Sequence, residues 1–195
     1  MRALLFLLVL LLTGCASIPN QGITEDVHWA SHRDSVLGIA QWSAEGKAGA
    51  RQGESSTSFN ILWHQWDNAY EIHLFGPLGQ GAVLITGDAT QARLDDGNQV
   101  ITAPDLQTLI AENHSIQLPL NALQYWIRGV PEPRQPATIA FGTQGLIAEL
   151  NQLGWTVEYA DYSPTEPPMP RKFSLSRGDT TAKIIIKSWD LEPTP

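Results

Sequence analysis

Residues 70–85 have the sequence Tyr70-Glu71-Ile72-His73-Leu74-Phe75-Gly76-Pro77-Leu78-Gly79-Gln80-Gly81-Ala82-Val83-Leu84-Ile85. Apolar and polar residues alternate from Tyr70 to Leu74, which is typical of a β-strand with one buried and one solvated face. A second apolar run, residues 82–85, predicts a second strand. The segment between them, residues 76–79, suits a tight turn because it contains two glycines and a proline. Turn tips are normally polar, so this pattern predicts a β-hairpin with an unusual apolar tip at Leu78.

The sequence on both sides of this hairpin is also β-like. Short alternating runs separated by Gly, Asn and Asp turn signals cover residues 41–101, and further runs follow from residue 138 to residue 189. Consecutive strands joined by short turns predict an antiparallel meander. Residues 163–170 are rich in proline, and we expect them to lie outside the sheet.

Three helices are predicted beside the strands. The first runs from Thr24, a capping residue, to about Gln41, and the others begin at residues 103–105 and 119–121, each with a proline near its start. About nine to eleven strands in one domain predict a sheet that curls. The predicted fold class is mainly β: an incomplete, curled antiparallel β-barrel whose concave face is covered by the helices.

The N-terminus predicts export and lipid attachment. An apolar run at residues 3–12 has the length of a signal-peptide core and is short of the roughly 20 residues that span a bilayer. It leads into Leu12-Thr13-Gly14-Cys15, the pattern of a bacterial lipobox, in which cleavage precedes the cysteine. We therefore expect residues 1–14 to be a signal peptide, residues 15–23 a lipidated N-terminus and tether, and residues 24–195 one domain.

Cys15 is the only cysteine of the chain, so an intrachain disulfide is excluded. We expect it to carry a thioether-linked diacylglycerol and an amide-linked palmitoyl chain, which exceeds the two signals that stable anchoring needs. Ala16 follows it, and the absence of aspartate at that position favours the outer membrane. These features predict a lipid-anchored protein that faces the periplasm of a Gram-negative bacterium.

The chain is acidic. Its net charge of −8 becomes −9 once residues 1–14, with one arginine and no acid, are removed. An acidic domain has no electrostatic attraction for nucleic acid or anionic lipid. We therefore expect no nucleic-acid partner, and contact with a membrane through the acyl anchor and apolar side chains.

Sequence motifs of catalysis and metal binding are lacking. The chain has no Gly-x-Ser-x-Gly elbow, no His-Glu-x-x-His and no phosphate-binding loop. His28 and His32 have the i, i+4 spacing of a chelating pair, but no further ligand stands at a persuasive spacing. We interpret them as solvated helix residues and expect neither an enzyme nor a metal or other cofactor.

Six features follow one another along the mature chain. They are the lipobox at Cys15; Trp42 with Gly46-Lys47; Trp63-x-Gln65 leading through Tyr70 to Gly76-Pro77-Leu78-Gly79; Leu118-Pro119-Leu120-Asn121-x-Leu123-x-x-Trp126-Ile127-x-Gly129-Val130-Pro131; Pro168-x-Pro170; and Lys183-Ile184-x-Ile186-x-x-Trp189. Together they resemble the LolB family of outer-membrane lipoprotein receptors. The turn and the Leu-Pro-Leu helix are specific as a pair, whereas either alone would be weak.

The resemblance implies a barrel of about eleven strands with three helices around an apolar cavity. In the family, LolB accepts lipoproteins from the periplasmic carrier LolA and inserts them into the inner leaflet of the outer membrane. The acyl chains pass from one cavity to the other without nucleotide or metal. The implied partners are LolA, acylated lipoprotein cargo and outer-membrane lipid, and we expect a monomer.

The resemblance also implies functional residues. Leu78 occupies the position of a leucine on a protruding loop that acts in membrane insertion, so residues Gly76, Pro77, Leu78 and Gly79 are the predicted insertion loop. The alternative is a leucine that folds back onto its own hairpin. Strand parity and helix faces select the residues expected to line the cavity: Phe59, Ile61, Trp63, Tyr70, Ile72, Leu74, Trp126 and Trp155.

A second function fits the lipobox and the curled sheet equally well. The chain could be a lipid-anchored scaffold module of the outer membrane or a carrier for small apolar ligands. A barrel whose interior is filled by side chains would favour the scaffold.

Overall fold

The computed structural model describes residues 27–76, 81–113, 119–142 and 144–192. Within them the fold is an eleven-stranded antiparallel sheet with three helices, which confirms the predicted fold class. The helices are α1 (Val27–Leu37), α2 (Leu106–Asn113) and α3 (Leu120–Trp126). The strands are β1 (Gln41–Gln52), β2 (Ser55–Trp66), β3 (Ala69–Phe75), β4 (Val83–Gly87), β5 (Ala92–Asp95), β6 (Val100–Ala103), β7 (Ala137–Phe141), β8 (Ile147–Gln152), β9 (Trp155–Ser163), β10 (Met169–Arg177) and β11 (Thr180–Asp190).

The sheet is a meander in two arms that meet where the first strand pairs with the last. Its strand order is β6-β5-β4-β3-β2-β1-β11-β10-β9-β8-β7. We call β1–β6 the first arm and β7–β11 the second arm. β6 and β7 form the two edges and do not pair with each other, so the barrel is open. The chain from β6 to β7 carries α2 and α3, and α2 packs on β5, β6 and α3.

Five turns lie at one end of the barrel, which we call the mouth end. Gln52 pairs with Ser55 across the β1–β2 turn and with Thr180 on β11, while Phe75 at the end of β3 pairs with Asn60 of β2. The antiparallel order therefore brings the β1–β2, β3–β4 and β10–β11 turns to this end, and the β5–β6 and β8–β9 turns follow by the same register.

The pairing of β1 with β11 holds the two arms together. Its register shifts between Glu45 and Gly46, and a Cβ atom at Gly46 would clash with the carbonyl oxygen of Ile185. Glycine is therefore required at this point, because the β11 backbone leaves no room for a side chain. Alternate β1 residues on the concave side are buried: Trp42, Ala44, Ala48 and Ala50.

Several predicted boundaries differ from the structure. α1 ends at Leu37, and Gln41 already begins β1, because Gly38 closes the last helical turn by donating its N–H to the Asp34 carbonyl at 2.9 Å. Ala103 belongs to β6 and α2 begins at Leu106. Thr24 lies outside the described residues.

The prediction that residues 163–170 lie outside the sheet is wrong at three positions. Ser163 ends β9, and Met169 and Pro170 begin β10, where they pair with Ser163 and Tyr162. The register shifts directly after Pro170, and a bulge is one of the few places where a strand tolerates proline. The Pro170 carbonyl accepts a hydrogen bond from Trp189 Nε1 at 2.8 Å, which ties β10 to the last strand.

Candidate functional site

An apolar cavity of about 610 Å³ lies on the concave side of the first arm. Strands β1–β4 and β11 form its wall, and the apolar wall residues are Ala48, Ala50, Phe59, Ile61, Trp63, Ile72, Leu74, Phe75, Val83, Ile85, Ala182 and Ile184. This volume falls in the range of ligand-binding pockets, roughly 300–1,000 Å³. The first arm therefore has room for an apolar ligand.

The cavity exists because small residues stand where the arms meet. Ala48, Ala50 and Ala182 face it from β1 and β11. A close-packed interior needs side-chain volume at such positions, and alanine supplies little of it. The second arm is filled instead, by side chains that are almost fully buried: Trp126, Leu150, Trp155, Met169, Phe173 and Leu175.

α2 and α3 cover the cavity. Ile110 of α2 and Leu120 and Leu123 of α3 line it, while Trp126 of α3 is 0% exposed and is not among the lining residues. The side chain of Gln107 accepts a hydrogen bond from the Leu120 N–H at 3.0 Å and joins the two helices. α3 thus faces the cavity with its first turn and the filled core with its last.

Gln152 fixes α3 in this position. Its Oε1 accepts hydrogen bonds from Trp126 Nε1 at 2.7 Å and from the Glu132 N–H at 2.9 Å. Its Nε2 donates to the carbonyls of Glu132 and Gln135, both at 2.9 Å. Tyr159 adds a bond from its hydroxyl to the Trp126 carbonyl at 2.8 Å. Every polar position of the buried Gln152 amide is therefore used.

Arg128 joins the end of α3 to the end of α1. Its Nη1 donates to the carbonyls of Val36 and Ile39 at 3.2 and 3.4 Å, and its guanidinium lies 5.8 Å from the centre of the Trp42 ring. Burial lowers the pKa of Arg128 to about 10, so it remains protonated at neutral pH. A buried cation facing helix-terminal carbonyls is a favourable arrangement.

The mouth of the cavity is polar. Ser55, Ser56, Thr57 and Ser58 line it and are exposed. Gly76 and Gly81 also line it, so the loop between β3 and β4 leaves and rejoins the barrel at the rim of the cavity. Pro77, Leu78 and Gly79 lie outside the described residues, as does Cys15. The exposure of Leu78 stays a prediction.

Five of the residues predicted to line the cavity lie on its wall: Phe59, Ile61, Trp63, Ile72 and Leu74. Tyr70 has the predicted face but stands at the far end of β3, where its ring lies against Gly87. Burial raises the pKa of Tyr70 to about 12. Trp126 and Trp155 belong to the filled core, and the Arg177 guanidinium lies 4.7 Å from the centre of the Trp155 ring.

Sequence reasoning missed the contributions of β4, β11 and the two covering helices. Ala182 and Ile184 could have been found, because β11 largely alternates as β3 does, whereas Val83 and Ile85 belong to a continuous apolar run that does not show which residues face inward. Ile110 and Leu123 carry no such signal. A helix face shows that a residue is buried and does not show against what.

The described part of the chain shows no cluster of metal-ligating side chains. No group of three His, Asp or Glu residues there stands close enough to hold a metal ion. His73 Nε2 lies 2.7 Å from Glu71 Oε1, with both side chains partly exposed on the opposite face of β3 from the cavity. His32 is half-buried rather than solvated, and burial lowers its pKa.

These features define an open antiparallel β-barrel that combines a filled arm with a hollow, apolar one. Residues 40–189 match the family model described as "Outer membrane lipoprotein LolB". The chain belongs to the LolB family. None of the helices among the described residues is both long and apolar enough to cross a membrane.

Relatives that carry the same description match over nearly the whole chain. The outer-membrane lipoprotein LolB of Chromohalobacter salexigens is 35% identical over 187 residues, covering 94% of this chain and 87% of the relative. That of Cellvibrio japonicus is 35% identical over 202 residues, covering 98% of each.

The fold is also similar to a solved structure. The crystal structure of a LolA superfamily protein from Nitrosomonas europaea superposes with a TM-score of 0.51. The superposition covers 84% of this chain and 94% of the Nitrosomonas europaea protein, at 8% sequence identity. Sequence identity this low supports a common fold and nothing finer.

Proposed function

We propose that the chain is a lipid-anchored receptor of the outer membrane that accepts lipoproteins from LolA and inserts them into the inner leaflet. Membership of the LolB family supports this role. The observation that carries the proposal is the apolar cavity of the first arm, with the loop that contains Leu78 attached to its rim. The scaffold alternative is disfavoured because the first arm is hollow.

The energetics of acyl chains explain why such a cavity is needed. Exposing an acyl chain to water costs about 0.8 kcal/mol for each CH₂ group. A cavity walled by apolar side chains removes that cost during transfer. Because the proposed step uses no nucleotide, transfer runs down a gradient of affinity from carrier to receptor to bilayer, and a cavity with an open mouth suits the middle position. The role is one of binding and transfer without a catalytic step.

Delivery requires contact with the bilayer. In our proposal, acyl chains on Cys15 hold the protein at the membrane, and Leu78 enters the lipid surface. The acidic chain has no electrostatic attraction for anionic lipid, so an apolar loop is the more suitable contact. Since Gly76 and Gly81 line the cavity, an inserted loop would bring the mouth to the membrane.

A transfer assay with Leu78→Glu tests the proposal. LolA loaded with an acylated lipoprotein is mixed with the mature protein, and cargo is followed from LolA to receptor and from receptor to liposomes. We expect Leu78→Glu to accept cargo as wild type does and to lose at least about tenfold in delivery, because a carboxylate resists entry into lipid.

Gln80→Glu is the matched control. It places the same charge in the same loop and keeps Leu78, and we expect it to deliver cargo normally. Normal delivery by Leu78→Glu would contradict the role of Leu78. A loss of stability and acceptance in Leu78→Glu would mean that the leucine packs on its own hairpin. Failure of the wild-type protein to take cargo from LolA would contradict the receptor function itself.

A further inference from the structure

We propose that the mouth of the cavity selects acylated ligands with an uncharged polar junction over those with an ionised head group. The uncharged class comprises ester, amide and thioether-linked glyceryl groups, as at the lipid-modified cysteine of a lipoprotein. The excluded class comprises fatty-acid carboxylates and phospholipid phosphates. This inference rests on the proposed function and adds a selectivity to it.

Three neighbouring strands change from apolar to uncharged polar residues at one level of the concave wall. On β2 the inward positions run from Trp63, Ile61 and Phe59 to Thr57 and Ser55. On β1 they run from Ala48 and Ala50 to Gln52, and on β11 from Ile184 and Ala182 to Thr180. Gln52 pairs directly with Ser55 and with Thr180, so the polar residues form a continuous row across the mouth.

This polar row retains hydrogen-bonding capacity. Ser55 and Thr57 are exposed, and the structure assigns their hydroxyls no hydrogen bond among the described residues. Gln52 Oε1 is buried and likewise has no partner in the described part of the chain. Hydroxyl groups at the mouth can donate to ester and amide carbonyls of a ligand whose acyl chains fill the apolar wall below.

The mouth offers no compensation for charge. None of the described residues that line the cavity is charged. Arg51 of β1 and Arg177 of β10 are not among the lining residues, and both have other contacts: Arg51 Nε donates to the Gly53 carbonyl at 2.9 Å, and Arg177 lies over the Trp155 ring. An anion drawn to the mouth would meet an apolar wall, no cation among the described lining residues and a mature chain of net charge −9. Partial burial of an unpaired charge is costly.

This selectivity has a use at a membrane surface. The bilayer beside an anchored receptor supplies phospholipid in great excess over lipoprotein. A mouth that disfavours phosphate keeps the cavity free for cargo, although both kinds of molecule carry similar acyl chains.

The test compares two palmitoylated probes that differ in charge. The mature chain with Cys15→Ala, which carries no acyl chains of its own, is titrated with 1-palmitoylglycerol and with palmitate at pH 8, below their aggregation concentrations. Both displace a fluorescent acyl probe. We expect palmitoylglycerol to bind roughly tenfold more tightly, the scale of one hydrogen bond gained and one charge left unpaired. Lysophosphatidylglycerol, which carries a phosphate, is compared with 1-palmitoylglycerol in the same displacement assay.

Variants of the mouth residues show how much of the affinity difference is due to the mouth and how much to the probes themselves. Ser55→Ala with Thr57→Val should reduce the ratio of the two dissociation constants by at least about threefold, through weaker binding of palmitoylglycerol. Thr57→Lys should bring the ratio close to one or invert it, through tighter binding of palmitate. Ser176→Ala, on the outer face of β10, should leave the ratio unchanged.

The outcomes distinguish this inference from the proposed function. Equal affinity of the wild-type protein for both probes, or a ratio unaffected by the mouth variants, would overturn the selectivity and leave the acyl cavity in place. Failure of every probe to bind would instead contradict the cavity's proposed use for acyl chains.

Discussion

A single amide, that of Gln152, connects α3, the chain after it and β8. It is only 3% exposed, and its four hydrogen bonds reach Trp126, Glu132 and Gln135. Leaving a buried polar group without its hydrogen-bond partner costs more free energy than the hydrogen bond itself contributes to stability. The position of the helix that covers the cavity therefore depends on this residue.

Replacing Gln152 with leucine should lower the free energy of unfolding by about 3 kcal/mol. The change leaves the Trp126 indole N–H and three backbone groups without their partner in a buried place. Urea unfolding followed by tryptophan fluorescence measures the effect. Gln91→Leu, at an exposed turn position, serves as control and should change stability by less than about 0.5 kcal/mol. Equal stability of the two variants would show that the network contributes little.

Side-chain alternation predicted individual wall residues well on β2 and β3. It assigns a residue to a face, and Phe59, Trp63 and Ile72 lie on the face expected. It could not separate them from Trp155, which also alternates correctly, because whether an arm is hollow depends on side-chain volumes on neighbouring strands. The structural role of Gln152 could not be predicted either, because a buried glutamine has the same local sequence signal as a solvated one.

At the scale of elements, the pairing of β1 with β11 is the critical contact. It joins strands at opposite ends of the chain, and without it the two arms would be separate sheets. The shift beside Gly46 allows the two backbones to approach at that point.

Gly46→Ala should destabilise the protein by about 2–3 kcal/mol, because a methyl group there collides with the Ile185 carbonyl and forces the strands apart. Gly49→Ala is a control on the same strand, since its nearest neighbour, the Thr57 carbonyl oxygen, would lie 3.7 Å from the new Cβ. Its stability should stay within about 0.5 kcal/mol of wild type. Thermal and urea unfolding of both variants decide the matter, and an equal loss at both glycines would contradict the close approach.

Sequence patterns located most elements but not all of their ends. Strands with clear alternation were found, whereas α1 was predicted to run past Gly38, the glycine at which the helix ends. Pro170 led to the opposite error, because a strand residue was predicted to lie outside the sheet. A proline argues against a strand on local grounds, and only the partner strand reveals that it stands at a bulge.

At the scale of the whole molecule, buried tyrosines connect stability to alkaline pH. Burial raises the pKa of Tyr159 and Tyr162, whose hydroxyls donate to the Trp126 and Ile147 carbonyls. Unfolded tyrosines lose their proton near pH 10, whereas the folded protein keeps it to higher pH. The contribution of these tyrosines is therefore complete below about pH 10 and is lost as the pH rises above it.

We expect the free energy of unfolding to fall between pH 9 and pH 11. Tyr162→Phe should be less stable than wild type at pH 9, because it loses a hydrogen bond, yet its stability should fall less on going to pH 11. Urea unfolding at both pH values measures the two differences. A fall as steep in Tyr162→Phe as in wild type would assign the alkaline loss to other groups.

The unpaired edges at β6 and β7 affect the volume that the barrel interior can hold. In a closed barrel, strand number and shear together set the circumference, so the interior has one size. An open sheet lacks that constraint, and its radius changes as the sheet flattens or curls. We therefore expect the volume of the cavity, about 610 Å³ in this structure, to change with the bulk of its occupant without the loss of a strand pair.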